Sequence, residues 1–314
     1  MNVSNLVLKY FNTTMNDSEN LENINYNMSL YIYIWVTFTN VVIFLAGVFG
    51  NVMVILVVLK VKQMKTHMNY LLLNLSFADL LVLIICQPSA LLEFYAKDRW
   101  YLGLVMCEYL IPQLENAVVH ASVFTILVIT IERHNAICFP LKKTCFAFTE
   151  KRTTKCIALI WILAYISTCP FMVMAQEQDT EFYDGTPCKI CRTVVEELWQ
   201  QVMYIRIIRC LVSETISVLS KRDNRLMSTL RSRKQVVRMI IGIMILFFIT
   251  VFPMRIVSLW IVYAPPSAII QLGVDGYINL LSFARAMVYI NSAGNPIIYS
   301  LTSTKFKRAF SKLL

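Results

Sequence analysis

The sequence predicts an all-α membrane protein: a seven-span transmembrane helical bundle whose fifth span is truncated, closed by a short amphipathic C-terminal helix. Three observations carry this. Of the 314 residues 57% are apolar and 15% charged, against about 25% charged in a soluble domain, so the chain lacks the polar surface that water demands. Six stretches are apolar over the roughly 20 residues needed to cross a hydrocarbon core. The basic residues behind the +10 net charge gather between those stretches, where they mark cytoplasmic ends. The basic run from Lys221 to Arg238 and the basic C-terminus fall on that same side only if the chain crosses seven times. Binding of nucleic acid would need this charge on one solvated face and is not expected.

Residues 1–30 read as an outer tail. They lack the basic start and apolar centre of a cleavable signal peptide. They hold four glycosylation sequons, at Asn2, Asn12, Asn16 and Asn27, which are modified only outside the cell. The first span, 31–59, contains Gly47, Gly50 and Asn51. Small residues let helices approach, and the asparagine has to find an interhelical hydrogen bond. Lys60, Lys62 and Lys65 follow at once and put that end inside.

The second span, 69–94, carries Asp79 at its middle. A mid-membrane carboxylate requires a partner, a proton or a cation. The third, 107–137, opens at Cys107, carries Glu115 in its outer part and closes on Glu132-Arg133-His134. Glu115 and Arg133 are 18 residues apart, about five turns or 27 Å, so one helix face bears a charge near each end. A span of 156–175 follows a basic loop with Lys142, Lys143, Lys151, Arg152 and Lys155, and leads to a polar outer stretch. Of the nine cysteines several lie within apolar runs, where a thiol packs as a small apolar group. Cys107, Cys188 and Cys191 stand where an oxidising exterior allows a bridge.

At 194–219 the pattern breaks. Glu196, Glu197, Arg206, Arg209 and Glu214 interrupt the segment, which predicts an amphipathic helix that does not span comfortably. The remaining spans, 236–263 and 277–301, contain Pro253 and Pro296, each deleting an intrahelical hydrogen bond and bending its helix. In 302–314, Phe306 and Phe310 lie one turn apart among lysines and an arginine, as in a helix on the inner membrane surface.

With GVFGN in the first span, LNLSFADLL in the second, the Cys107 start and ERH end of the third, Trp161 in the fourth and NPIIY at 295–299, the chain resembles a rhodopsin-family (class A) G-protein-coupled receptor. The likeness runs from about Tyr31 to Leu314 apart from the fifth span. ENAVVHASVFTIL and FPMRIVSLWIV resemble the neuropeptide-receptor group of the thyrotropin-releasing hormone, growth hormone secretagogue, neuromedin U and ecdysis-triggering hormone receptors.

The resemblance implies a peptide ligand, a heterotrimeric G protein and arrestin as partners, and a multi-pass plasma-membrane location with the N-terminus outside. It assigns G-protein coupling to Glu132, Arg133, His134 and Tyr299. Asn51, Asp79, Ser122, Asn291 and Asn295 match a buried polar cluster that holds a sodium ion in this family, the one metal expected here; no other cofactor is implied. Gln87, Glu115, Asn116, Arg255, Arg285 and Tyr289 match the ligand pocket. Glu115 and Arg285 each lie eight residues inside a span, about 12 Å deep, so they either pair with each other or receive the ligand. The family bridge runs from Cys107 to Cys191 or Cys188, with the spacing from Cys191 to Trp199 closer to relatives.

This sequence departs from the pattern in four places. ERH replaces DRY, Val251 stands where many relatives carry a tryptophan before the proline, and Arg233 takes the place of an acid that in some relatives locks Arg133. Only four residues separate Trp199 from Tyr204, where a bilayer-length helix would need roughly twenty more. A truncated isoform or gene model, retained in the endoplasmic reticulum or suppressing full-length partners, is therefore the alternative. An ion-coupled transporter would show repeated halves, and none is visible. An enzyme would need a base beside a nucleophile or a metal, and His67, His120 and His134 are scattered.

Overall fold

The computed structural model describes residues 28–97, 99–138, 150–181, 186–193 and 234–313. The sequons, the expected fifth span at 194–219 and Arg233 lie outside the described residues, and so do the side chains of Arg133 and His134.

Helix α1 spans Leu30–Lys60 and leads through a 3-10 turn, Lys62–Met64, into α2, His67–Tyr95. Thr66 caps α2, its hydroxyl accepting from the Asn69 amide at 3.4 Å. Helix α3 runs from a π turn at Val105–Leu110 into Ile111–Cys138, and α4 is Glu150–Thr168. A single turn, α5 (Phe171–Met174), precedes an antiparallel hairpin of β1 (Ala175–Glu181) and β2 (Pro187–Thr193), with Glu177 opposite Cys191. Helices α6 (Lys234–Tyr263), α7 (Pro266–Thr302) and α8 (Thr304–Leu313) complete the chain.

Two boundaries differ from expectation for a physical reason. The fourth helix ends at Thr168 rather than 175, although the apolar run continues, because Pro170 cannot extend it and a separate turn follows. The last helix begins at Pro266 rather than 277, and breaks at Gly273, whose φ of 68° is open to glycine but strained for other residues. Both π turns have one cause. Val82–Cys86 precedes Pro88 and Val105–Leu110 precedes Pro112. Each proline removes an N–H and crowds the preceding turn, which widens to accommodate it.

Five of these helices are long and apolar enough to cross a membrane among the described residues. Their outer surface agrees: Phe38 and Leu45 of α1 are 70% and 62% exposed, which water would penalise and lipid solvates. Inside, Val57, Val58, Leu71, Leu72, Leu75, Ile129 and Tyr299 form the inner half of the core. Helix α8 turns Phe306 into that core, 2% exposed and packed on Tyr299. Its apolar side thus packs on the bundle, with Phe310 partly buried beside Phe306.

Polar ties fix helix neighbours where apolar packing alone would leave them free to slide in lipid. The Trp161 indole of α4 donates to Asn74 Oδ1 at 2.9 Å, and Asn74 Nδ2 donates to Thr125 Oγ1 of α3 at 3.1 Å. Trp161→Phe removes one donor from a buried amide, so the thermal unfolding midpoint should fall by the equivalent of about 1 kcal/mol. An unchanged midpoint would show that Thr125 alone holds Asn74.

Candidate functional site

A cavity of about 230 Å³ lies between α2, α3, α6 and α7 at the end of the bundle that bears the hairpin. Its polar lining includes Glu93, Glu115, Asn116, Arg192, Arg255, Ser258 and Arg285, and Val251 of α6 forms part of its apolar wall. The hairpin stands over it: Cys191 of β2 is joined by a disulfide to Cys107, and the Trp100 amide donates to the Lys189 carbonyl at 2.7 Å. Cys188 lies on the same strand, opposite Thr180. The Glu177 amide donates to Glu108 Oε1 at 3.3 Å. Glu177 also accepts from Lys189 at 2.8 Å, and this hydrogen bond raises the lysine's pKa above its usual range.

Of the two alternatives for Glu115 and Arg285, pairing with each other is not the arrangement seen; each has another partner. Arg285 Nη1 donates to Glu93 Oε2 at 2.8 Å, from α7 to α2. Glu115 Oε1 instead accepts from the Tyr289 hydroxyl at 3.1 Å. Arg255 directs both terminal nitrogens at Asn116 Oδ1, each at 3.3 Å. Gln87 is 2% exposed and turns to α1, donating to the carbonyl and the side-chain oxygen of Asn40 at 3.0 Å. It stands outside the cavity lining. Glu93 is a further site residue, absent from those that the sequence and the resemblance single out. Its signal was present: a charged residue near the outer end of an apolar run, at the depth where a buried arginine needs a counterion.

Below the cavity the polar residues form a descending series. Asn295 Nδ2 donates to Asp79 Oδ2 at 2.8 Å, tying α7 to α2. Thr250 of α6 donates to Asn291 Oδ1 at 3.2 Å. Asn51 Nδ2 donates to the Gly47 and Ser292 carbonyls at 2.9 and 3.0 Å. Ser292 is the residue four before Pro296, so Asn51 satisfies the very carbonyl that the proline leaves without a donor. Asp79 Oδ1, Asn295 Oδ1, Asn51 Oδ1 and Ser122 Oγ are buried with no partner among the described residues. Oxygen atoms of this kind are the donors a hard cation takes, so these residues fit the sodium ion that the resemblance implies. At the inner end Tyr299 is fully buried against Phe306, and Glu132 is half-buried on α3.

Residues 50–299 match the family of seven-transmembrane receptors of rhodopsin type. The chain belongs to the rhodopsin family. A growth hormone secretagogue receptor type 1 from Oryctolagus cuniculus is 28% identical over 298 residues, covering 89% of this chain and 80% of the relative. A thyrotropin-releasing hormone receptor from Gallus gallus is 32% identical over 306 residues, covering 85% and 75%. A QRFP-like peptide receptor from Branchiostoma floridae is 26% identical, covering 87% and 76%. The protein is therefore a multi-pass membrane receptor and not an enzyme, with a disulfide between Cys107 and Cys191.

Proposed function

We propose that this receptor binds an extracellular neuropeptide or peptide hormone in the cavity between α2, α3, α6 and α7, and passes that event to a heterotrimeric G protein, with arrestin as a second inner-face partner. The observation that carries the reading is the cavity's lining: two carboxylates and three guanidinium groups around an apolar wall. A peptide offers both signs of charge and amide groups to such a lining, whereas an apolar ligand would leave these groups desolvated. The relatives' names support the same class of ligand.

The geometry of α6 and α7 supports coupling. Each contains a proline, which removes an intrahelical hydrogen bond, and Thr250–Asn291 ties them at mid-depth. A ligand drawing on Arg255 and Arg285 thus acts on both helices above their bends. Ligand and G protein each favour the same state, and their coupling is reciprocal. Asp79, with Asn51, Ser122, Asn291 and Asn295, holds sodium in the resting state. The protein resides in the plasma membrane with its N-terminus outside, where Asn2, Asn12, Asn16 and Asn27 carry glycans.

Arg133 is assigned the inner contact, flanked by Glu132 and His134 and backed by Tyr299. Arg133→Ala should abolish agonist-stimulated calcium or cyclic nucleotide signals while agonist binding persists; retained signalling would remove Arg133 from that role. Resequencing the transcript across Trp199 to Tyr204 separates a signalling receptor from a truncated form held in the endoplasmic reticulum. Roughly twenty further apolar codons would restore a bilayer-length fifth span.

A further inference from the structure

The hairpin over the cavity carries a charge of its own. Glu177, Asp179 and Glu181 alternate along β1 and so share one face, with Lys189 opposite Asp179 on that face. Glu108, in the π turn of α3, joins them, its Oε1 accepting from the Glu177 amide at 3.3 Å. Four carboxylates thus meet one ammonium. The cavity has the opposite balance, with Glu93 and Glu115 against Arg192, Arg255 and Arg285.

Glu177 stands apart within this group. Its side chain is 6% exposed, and Lys189 Nζ meets its Oε2 at 2.8 Å. Its other oxygen, Oε1, is buried with no hydrogen-bond partner among the described residues. A buried carboxylate oxygen without a donor carries a desolvation cost. Lys189 offsets little of it, because its own side chain is 54% exposed and pairs of that kind are weak.

The group that fits Oε1 is a positively charged N–H donor. Among the described residues no three acidic, histidine or cysteine side chains come close enough to hold a metal ion. A guanidinium presents a planar fork that holds two carboxylate oxygens at once, whereas an ammonium acts as a point charge. Lys189 is the competitor for the same carboxylate, and its half-exposed stem lets it withdraw into water.

We propose that Glu177, with Glu108 beside it, is a subsite for an arginine side chain of the bound peptide, and that Lys189 is the built-in cation which that arginine replaces. The proposal rests on the reading of this chain as a peptide receptor. It adds a basic residue to the ligand, held at the hairpin while another part of the peptide enters the cavity.

The test uses purified full-length receptor immobilised on a column and two matched probes, Nα-acetylarginine amide and Nα-acetylcitrulline amide. They share one skeleton and differ in a charged guanidinium against a neutral urea. The ratio of their retentions reads the preference for charge, and the cavity carboxylates Glu93 and Glu115 stay in place in every variant. The native protein should retain the arginine probe more strongly. Glu177→Gln should lower the ratio about fivefold or more, the worth of a hydrogen bond to a charged group. Lys189→Gln should raise it about twofold or more by removing the competitor. That rise separates a binding role from a structural one, since both variants break the same salt bridge. Should Glu177→Gln fail to fold, Lys189→Gln decides alone. A ratio unchanged in Glu177→Gln, or one that does not rise in Lys189→Gln, overturns the proposal. The measurement needs neither peptide nor G protein, so a receptor that fails to signal leaves it standing. An unchanged ratio, in turn, leaves the peptide reading untouched.

Discussion

Asn295→Ala is expected to destabilise the folded receptor by about 1.5–3 kcal/mol, the range for losing a hydrogen bond to a buried charged group. Asp79 is completely buried, and Asn295 Nδ2 donates to its Oδ2 at 2.8 Å. Deleting that amide leaves a carboxyl group in a membrane-embedded core without its tie to α7. The reciprocal change is milder. Asp79→Asn removes the charge, retains an oxygen that can accept from Asn295 and adds a donor, so about 1 kcal/mol is expected. A double replacement, Asp79→Asn with Asn295→Ala, should cost less than the sum of the two, because the penalty in the single variant is mostly that of the stranded carboxyl. Thermal unfolding midpoints of the four purified proteins complete the cycle. If Asn295→Ala proves no worse than Asp79→Asn, the pair is not what joins α2 to α7 at this depth.

The fold class was legible because its cause is local. Apolar runs of bilayer length and basic ends are properties of consecutive residues, and α1, α2, α3, α4 and α6 follow from them. What stayed hidden depends on rotation about a helix axis or on contacts far along the chain. Counting turns put Arg285 level with Glu115, yet azimuth decides pairing as much as depth does, and the partner is Glu93, 192 residues away. A π turn adds one residue to its turn, which rotates every later side chain by about 100° relative to a regular count. Beyond Val82–Cys86 this applies to Gln87 and Glu93 alike, and it is here that the reading of the site differs most from the structure. The β1–β2 hairpin was equally invisible: AQEQDTE has no apolar alternation, and its register is set by the bridge at Cys191 and the Trp100–Lys189 bond.

Gly50→Val should be the most damaging single change in the first helix. A Cβ at Gly50 would lie 2.9 Å from Pro296 Cβ and 3.1 Å from Cγ. Those atoms belong to a ring that cannot rotate away, so relief requires α1 and α7 to separate. Overpacking of this kind costs about 1–3 kcal/mol. The next residue adds to it. Asn51 reaches the Ser292 carbonyl at 3.0 Å only because α1 lies against the bend at Pro296. Moving the helices apart breaks that bond and leaves a buried carbonyl without a donor, about 1–3 kcal/mol more. Gly50 and Asn51 therefore act as one device, the glycine admitting the proline ring and the asparagine satisfying the carbonyl it frees. On this account Gly50→Ala should lower the unfolding midpoint, Gly50→Val should abolish surface expression, and Pro296→Gly, which removes both Cβ and Cγ, should relieve much of the damage in Gly50→Ala relative to its own effect on the native protein. A Gly50→Ala protein as stable as the native one, or no relief from Pro296→Gly, would show that the close approach of α1 and α7 does not depend on this pair.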